Sequence, residues 1–177
     1  MTMKRLLLAT VIVAFLTGCV SQRVTTIVGG DYDAAKNVTD YFVLPYGKVS
    51  LPGKWEKCGY NQESHQQFFI NQDSIVVAVS FSPYKKFEFN KDGSLKGNDF
   101  VKAFYEWDSK YFESKGYKRQ VLETDEEKQS IIYRIYGERA NTYFLVGEKN
   151  GYVSNFSISI TDKWTESEKI QFLKSLY

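Results

Sequence analysis

The chain of 177 residues has one histidine, two cysteines and three prolines, so it is poor in the side chains that build metal and nucleophilic sites. A single histidine excludes a multi-histidine metal site and leaves a serine–histidine–aspartate triad possible only through His65. Nucleophile elbows of the G-x-S-x-G type, H-E-x-x-H, C-x-x-C and phosphate-binding glycine loops are also absent. We therefore expect no catalytic residue, no metal and no dissociable cofactor.

Long apolar runs are missing too. The longest covers residues 6–16 and is interrupted by Thr10. A bilayer-spanning helix needs about 17–25 apolar residues. Because Lys4 and Arg5 precede the run, it fits the apolar region of a signal peptide.

The run ends in Leu16-Thr17-Gly18-Cys19, and these four residues resemble the lipobox of bacterial lipoproteins. The resemblance implies cleavage between Gly18 and Cys19, a diacylglyceryl group on the Cys19 sulfur and an acyl chain on the new amino terminus. Membrane lipid is then the partner of Cys19, and two or three chains make the attachment permanent. The absence of aspartate at Val20 favours the outer membrane, facing the periplasm. The alternative is a secretory signal with a chance cysteine.

Net charge is small. The chain has 23 basic and 21 acidic side chains, and Lys4 and Arg5 would leave with the signal, so the mature chain has 21 of each. Since nucleic-acid-binding proteins carry a basic bias, we expect no nucleic-acid partner. With Cys19 lipidated, Cys58 is the remaining thiol, and we expect it to be buried and inert, the alternative being an intermolecular disulfide.

Three regions are predicted: a lipoprotein signal peptide at 1–18, a lipidated N-terminus and tether at 19–40, and one globular domain at 41–177. The tether contains few aromatic residues, and aromatic and β-branched residues become dense from Tyr41 onward.

Local patterns in the domain predict an α+β order. A helix over residues 98–115 is expected to begin at Asn98 and to bury a stripe of Phe100, Phe104, Trp107 and Tyr111. Strands follow, with Asn150-Gly151 as a hairpin turn. Thr165 and Glu168 then form a capping box before an amphipathic C-terminal helix.

This element order, together with an opening segment that contains Leu44-Pro45 and Trp55, resembles the PsbP-like fold. The predicted fold class is thus α+β, with an antiparallel β-sheet flanked by a long central helix and a C-terminal amphipathic helix. By analogy with that fold, the resemblance implies a binding or assembly scaffold and not an enzyme.

Two groups of side chains are candidate sites. Trp55 and Tyr60 lie outside the predicted core stripes and are candidates for a ligand or partner surface. Glu123, Asp125, Glu126 and Glu127 would suffice for a glycosidase-like pair, although their position between two strands favours a charged turn.

The leading hypothesis is a membrane-anchored, periplasm-facing, non-catalytic lipoprotein that binds another envelope protein or supports its assembly. The alternative is a binding module for glycan, peptidoglycan or a small amphiphile, and a carboxylate-based hydrolase is the third. An exposed aromatic cleft would favour the binding module over the partner-protein role.

Overall fold

The computed structural model describes residues 25–177. The predictions made for the signal peptide, Gly18 and Cys19 lie outside the described residues. Within the described range, none of the helices is both long enough and apolar enough to cross a bilayer.

Strands dominate this part of the chain and form two antiparallel sheets. The four-stranded sheet contains β1 (Ile27–Gly29), β2 (Tyr32–Asp33), β3 (Val38–Leu44) and β4 (Gly47–Pro52), with β3 paired to all three others. The seven-stranded sheet contains β5 (Glu56–Asn61), β6 (Gln66–Ile70), β7 (Val76–Pro83), β8 (Lys118–Asp125), β9 (Ser130–Tyr136), β10 (Asn141–Lys149) and β11 (Tyr152–Ile158). Its strand order is β5-β6-β7-β11-β10-β9-β8.

Two α-helices accompany the sheets: α1 (Gly97–Glu113) and α2 (Glu166–Leu176). Short 3₁₀ turns at Tyr84–Lys86 and Glu88–Asn90 connect β7 to α1. Helix α1 packs on β8, β9 and β10, while α2 contacts β10, β11 and β4.

The predicted fold class is wrong. The described residues are mostly β-structure in two antiparallel sheets, and neither helix is a long central one. Helix α1 has 17 residues and covers three strands near one edge of the larger sheet. In the four-stranded sheet β3 and β4 alternate between more and less buried positions, whereas β1 and β2 have only three and two residues, too few for a periodic signal.

Residues 27–40, expected to belong to the tether, instead form β1, β2 and the first part of β3. Their register is set by β3, with Ile27 opposite Leu44 and Tyr32 opposite Thr39. Such short strands are stable only through the pairing partner, so their own residues carry a weak signal.

Two apolar cores lie on opposite faces of the larger sheet. One core joins it to the smaller sheet and α2 through Tyr41, Leu51, Phe69 and Leu173, each at most 1% exposed. The other joins it to α1 through Phe100, Phe104, Tyr133 and Val146. The smaller sheet is thereby fixed against β6 and β7, which creates a seam between the two sheets.

Two local predictions are confirmed. Asn150 and Gly151 connect β10 to β11 with φ angles of 56° and 84°. Thr165 and Glu168 form the capping box of α2, in which the Glu168 carboxylate accepts from Thr165 N at 2.7 Å.

The start of α1 differs from the prediction. Lys96 and not Asn98 occupies the cap position, and no side chain of the helix caps its first turn. Instead, the carboxylate of Glu148, on β10 and 3% exposed, accepts a hydrogen bond from Gly97 N. Its other oxygen accepts from Gly151 N at 2.6 Å. A negative group at this position also complements the helix dipole.

We expect Glu148→Ala to lower the free energy of unfolding by at least about 2 kcal/mol, because two backbone N–H groups lose their acceptor. Urea unfolding followed by circular dichroism measures the change. Glu138→Ala, at an exposed turn position, is the matched control, and its effect should stay within about 0.5 kcal/mol. Equal unfolding midpoints for the two variants would contradict the role assigned to Glu148.

Candidate functional site

A cleft of 370 Å³ opens along the seam between the two sheets, and we refer to it as the inter-sheet cleft. The smaller sheet and its turn contribute Val28, Tyr41, Val43 and Tyr46 to its lining. The larger sheet and the loops beside it contribute Tyr60, His65, Phe81 and Lys86. Ligand sites in proteins commonly have volumes of about 300–1,000 Å³ and apolar walls with a few polar groups.

The floor of the inter-sheet cleft is aromatic. Tyr41 is 1% exposed, and its ring contacts the ring of Phe69 edge-on with centroids 5.3 Å apart. Burial, with a smaller contribution from Tyr60, raises the pKa of the Tyr41 phenol. Tyr41 is therefore a neutral phenol at physiological pH and forms part of the cleft floor.

The close approach of the sheets depends on Gly47, at the start of β4. A Cβ atom at this position would clash with the ring of Phe81 on β7. Because glycine lacks that atom, the β3–β4 turn lies directly against Phe81, and the two form one end of the apolar wall.

Tyr60 and His65 form a polar pair at the mouth of the inter-sheet cleft. They flank the turn between β5 and β6, in which Asn61 Oδ1 accepts from Glu63 N at 2.9 Å and from Ser64 N at 3.1 Å. The hydroxyl of Tyr60 lies 3.2 Å from Nδ1 of His65. Burial first, and the charge of Lys86 second, lower the pKa of His65, so its imidazole is neutral at physiological pH.

Lys86 is the cationic group of the inter-sheet cleft. It lies on the 3₁₀ turn that follows Pro83 and is half-buried. Burial lowers the pKa of its ammonium group. Among residues 25–177, no carboxylate lies within 4.0 Å of this ammonium, and no aspartate or glutamate lines the cleft.

The structure separates the two aromatic residues predicted to form a ligand or partner surface. Tyr60 is 45% exposed and lines the inter-sheet cleft. Trp55 is 4% exposed and packs against Trp164 and Phe172 in the core. Its Nε1 donates to the Pro52 carbonyl at 2.8 Å, and the ring borders a different, more polar cleft near Lys54 and Glu56.

The candidate carboxylates lie at the β8–β9 hairpin, where Glu123 and Asp125 line one cavity of 20 Å³, a volume far below that of common ligand sites. Glu126 and Glu127 are exposed and do not line it. Glu123 forms an ion pair with Lys174 at 2.8 Å. Asp125 accepts from Lys128 N at 2.9 Å and thereby shapes the turn. In the part of the chain that the structure describes, no three acidic, histidine or cysteine side chains are arranged to hold a metal ion.

The aromatic stripe of α1 is only half buried, contrary to the prediction. Phe100 and Phe104 lie in the core, but Trp107 is 42% exposed and Tyr111 is 61% exposed. Trp107 packs against Phe87 and Phe89, with ring centroids 5.8 and 5.7 Å away. We refer to Phe87, Phe89 and Trp107 as the aromatic patch.

Sequence reasoning missed Lys86, Tyr41 and Tyr46 as cleft residues. Lys86 belongs to a Lys85-Lys86 pair that reads as a solvated face, and the two tyrosines belong to segments with no site motif. The 3₁₀ turn that carries Lys86 comes close to β1 and β3 only through tertiary packing. No local sequence pattern would therefore have identified these three residues as parts of one cleft.

Comparisons with known proteins identify no family. No protein-family model and no curated protein sequence matches the chain. Among solved structures, the chain is similar to the solution structure of cyanobacterial PsbP (CyanoP) from Synechocystis sp. PCC 6803. The identity is 13%, the TM-score is 0.43, and the match covers 92% of this chain and 99% of that chain.

Cys58 is exposed, contrary to the expectation that it is buried. It lies on the edge strand β5, where the pairing register with β6 shifts between Lys57 and Gly59. An outer strand with an irregular register leaves its side chains accessible to solvent.

We therefore expect the native protein to react with a thiol reagent such as DTNB at a rate close to that of the urea-unfolded protein. A rate more than about a hundredfold slower than that of the unfolded protein would indicate a buried thiol, because a buried thiol reacts only when the surrounding structure unfolds locally. Cys58→Ser is the control and should abolish the reaction at this position.

Proposed function

We propose that this protein is a membrane-anchored, periplasm-facing, non-catalytic binding module, and that its inter-sheet cleft accepts the apolar chain of a small amphiphile. The observation that carries the proposal is the aromatic and aliphatic lining of a 370 Å³ cleft with polar groups at its mouth. An exposed aromatic cleft favours this role over the partner-protein role predicted first from the sequence.

The position of the first described residues, at the N-terminal side of the domain, supports the same proposal. Thr26 and Val28 line the inter-sheet cleft, and the predicted lipid-bearing Cys19 is seven residues before Thr26. Seven extended residues reach at most about 25 Å. An anchor at Cys19 would therefore keep the cleft close to a membrane, where amphiphiles are concentrated.

A non-catalytic role is supported by the arrangement of the titratable groups. Glu123 pairs with Lys174, and Asp125 accepts a hydrogen bond from Lys128 N. His65 pairs with a tyrosine hydroxyl and not with a serine or cysteine nucleophile.

The first test is lipid extraction from the protein purified out of its own membrane, followed by mass spectrometry. We expect a non-covalently bound amphiphile in near-stoichiometric amount. Val43→Trp should remove most of it, because the larger side chain fills the cleft from β3. Val121→Trp, on the exposed edge strand β8, is the matched control and should retain it. Equal retention by both variants would contradict binding in the inter-sheet cleft.

A second candidate function is the binding of another envelope protein through the aromatic patch. Exposed clustered aromatic rings commonly mark protein interfaces, and tryptophan is enriched among the residues that dominate binding energy. Trp107 is the exposed member of the patch and lies on α1.

A photo-crosslinking amino acid at position 107 tests this second function in cells. We expect one envelope protein to be captured from position 107 and not from position 111, one turn further along α1 and 61% exposed. The same set of captured proteins from both positions would indicate collision and not a specific interface.

A further inference from the structure

Resting on the proposed function, we infer that the inter-sheet cleft selects amphiphiles with an anionic head group, a carboxylate or a phosphate, which Lys86 binds directly. Two adjacent features support this inference: the cleft is apolar, and the Lys86 ammonium at its rim has no carboxylate partner among the described residues.

Four lysines of the described residues pair with a carboxylate, namely Lys36, Lys54, Lys102 and Lys174, and Lys86 is not one of them. Lys36 pairs with Asp33 at 2.9 Å, and Lys174 pairs with Glu123 at 2.8 Å. Lys86 is half-buried and has no such partner among the described residues. A partly desolvated cation without a counterion is stabilised when an anion binds beside it.

Backbone contacts fix the turn that carries Lys86. Tyr84 N donates to the Gly151 carbonyl at 2.9 Å, and the Lys86 carbonyl accepts from Lys91 Nζ at 2.9 Å. Lys91 therefore holds the turn through the backbone of Lys86 and not through its side chain.

His65 and Tyr60 lie beside the same sheet as the Lys86 turn and supply neutral hydrogen-bonding groups at the rim. In the tautomer in which Nδ1 accepts from the Tyr60 hydroxyl, the Nε2 atom of His65 carries the proton and is a donor. A head group with several acceptor oxygens can then bind one charged donor and one neutral donor. A cationic head group would instead meet Lys86 with a like charge.

The apolar chain of such a ligand would lie between Val43, Tyr46 and Phe81. These side chains come from both sheets, and the cleft has no acidic lining residue that would repel the anion. The cleft is therefore complementary to a molecule that is apolar at one end and negative at the other.

The experiment uses the full-length protein in phosphatidylcholine nanodiscs and photoreactive ligands that share a dodecyl chain but differ in head group. Dodecanoate, dodecyl phosphate, dodecanol and dodecyltrimethylammonium are compared, and labelled peptides are located by mass spectrometry. We expect the two anions to label the strands around Val43 and Phe81 at least about tenfold more strongly than the alcohol. The cation should label them least.

Variants at the neighbouring lysines provide the matched control. Lys86→Gln should reduce labelling by dodecanoate to the level of dodecanol, whereas Lys86→Arg should retain it. Lys85→Gln removes the same charge from an exposed neighbouring position and should leave labelling unchanged. A loss with Lys85→Gln equal to that with Lys86→Gln would overturn direct recognition by Lys86.

The outcomes separate this inference from the proposed function. Equal labelling by the acid and the alcohol would overturn head-group selection while supporting an amphiphile site. Absence of cleft labelling by every probe would overturn both. Displacement of dodecanoate by inorganic phosphate or acetate alone would show a small-anion site, and it would overturn the requirement for the chain.

Discussion

The buried carboxylate of Glu148 connects three parts of the fold that are distant in sequence. It accepts hydrogen bonds from Gly97 N, at the start of α1, and from Gly151 N, in the β10–β11 turn. The Glu148 backbone N–H donates to the Gln129 carbonyl, in the β8–β9 hairpin. A buried charge is tolerated only when it is well hydrogen-bonded, so this arrangement constrains all three segments together.

The same constraint extends to the inter-sheet cleft. The Gly151 carbonyl accepts from Tyr84 N, and Tyr84 begins the 3₁₀ turn that carries Lys86. The 3₁₀ turn that carries Lys86 is therefore bonded to the β10–β11 turn, which Glu148 stabilises. Gly47 allows the smaller sheet to lie against Phe81 at the same cleft.

The buried pair of Tyr133 and Asp108 has a structural role. Tyr133, fully buried, donates to Asp108 at 2.6 Å, and its ring stacks on Phe144 with centroids 5.0 Å apart. Burial raises the pKa of Asp108, and the hydrogen bond from Tyr133 opposes that shift. This pair fixes α1 on the larger sheet and lies in the core opposite the inter-sheet cleft, so it supports packing and not ligand binding.

Sequence alone determined the features that depend on a few adjacent residues. Asn150-Gly151 forms a tight turn because both residues tolerate positive φ, and Thr165 with Glu168 caps a helix by contacts three residues apart. Tertiary structure decided the rest. Strands β1 and β2 exist because β3 pairs with them, and Trp107 packs against Phe87 and Phe89 of the β7–α1 connection while remaining 42% exposed. The inter-sheet cleft is lined by residues as far apart in the sequence as Thr26 and Lys86, sixty positions from each other. They come together only because the smaller sheet packs against the larger one. Such non-local contacts leave no periodic signal in the chain.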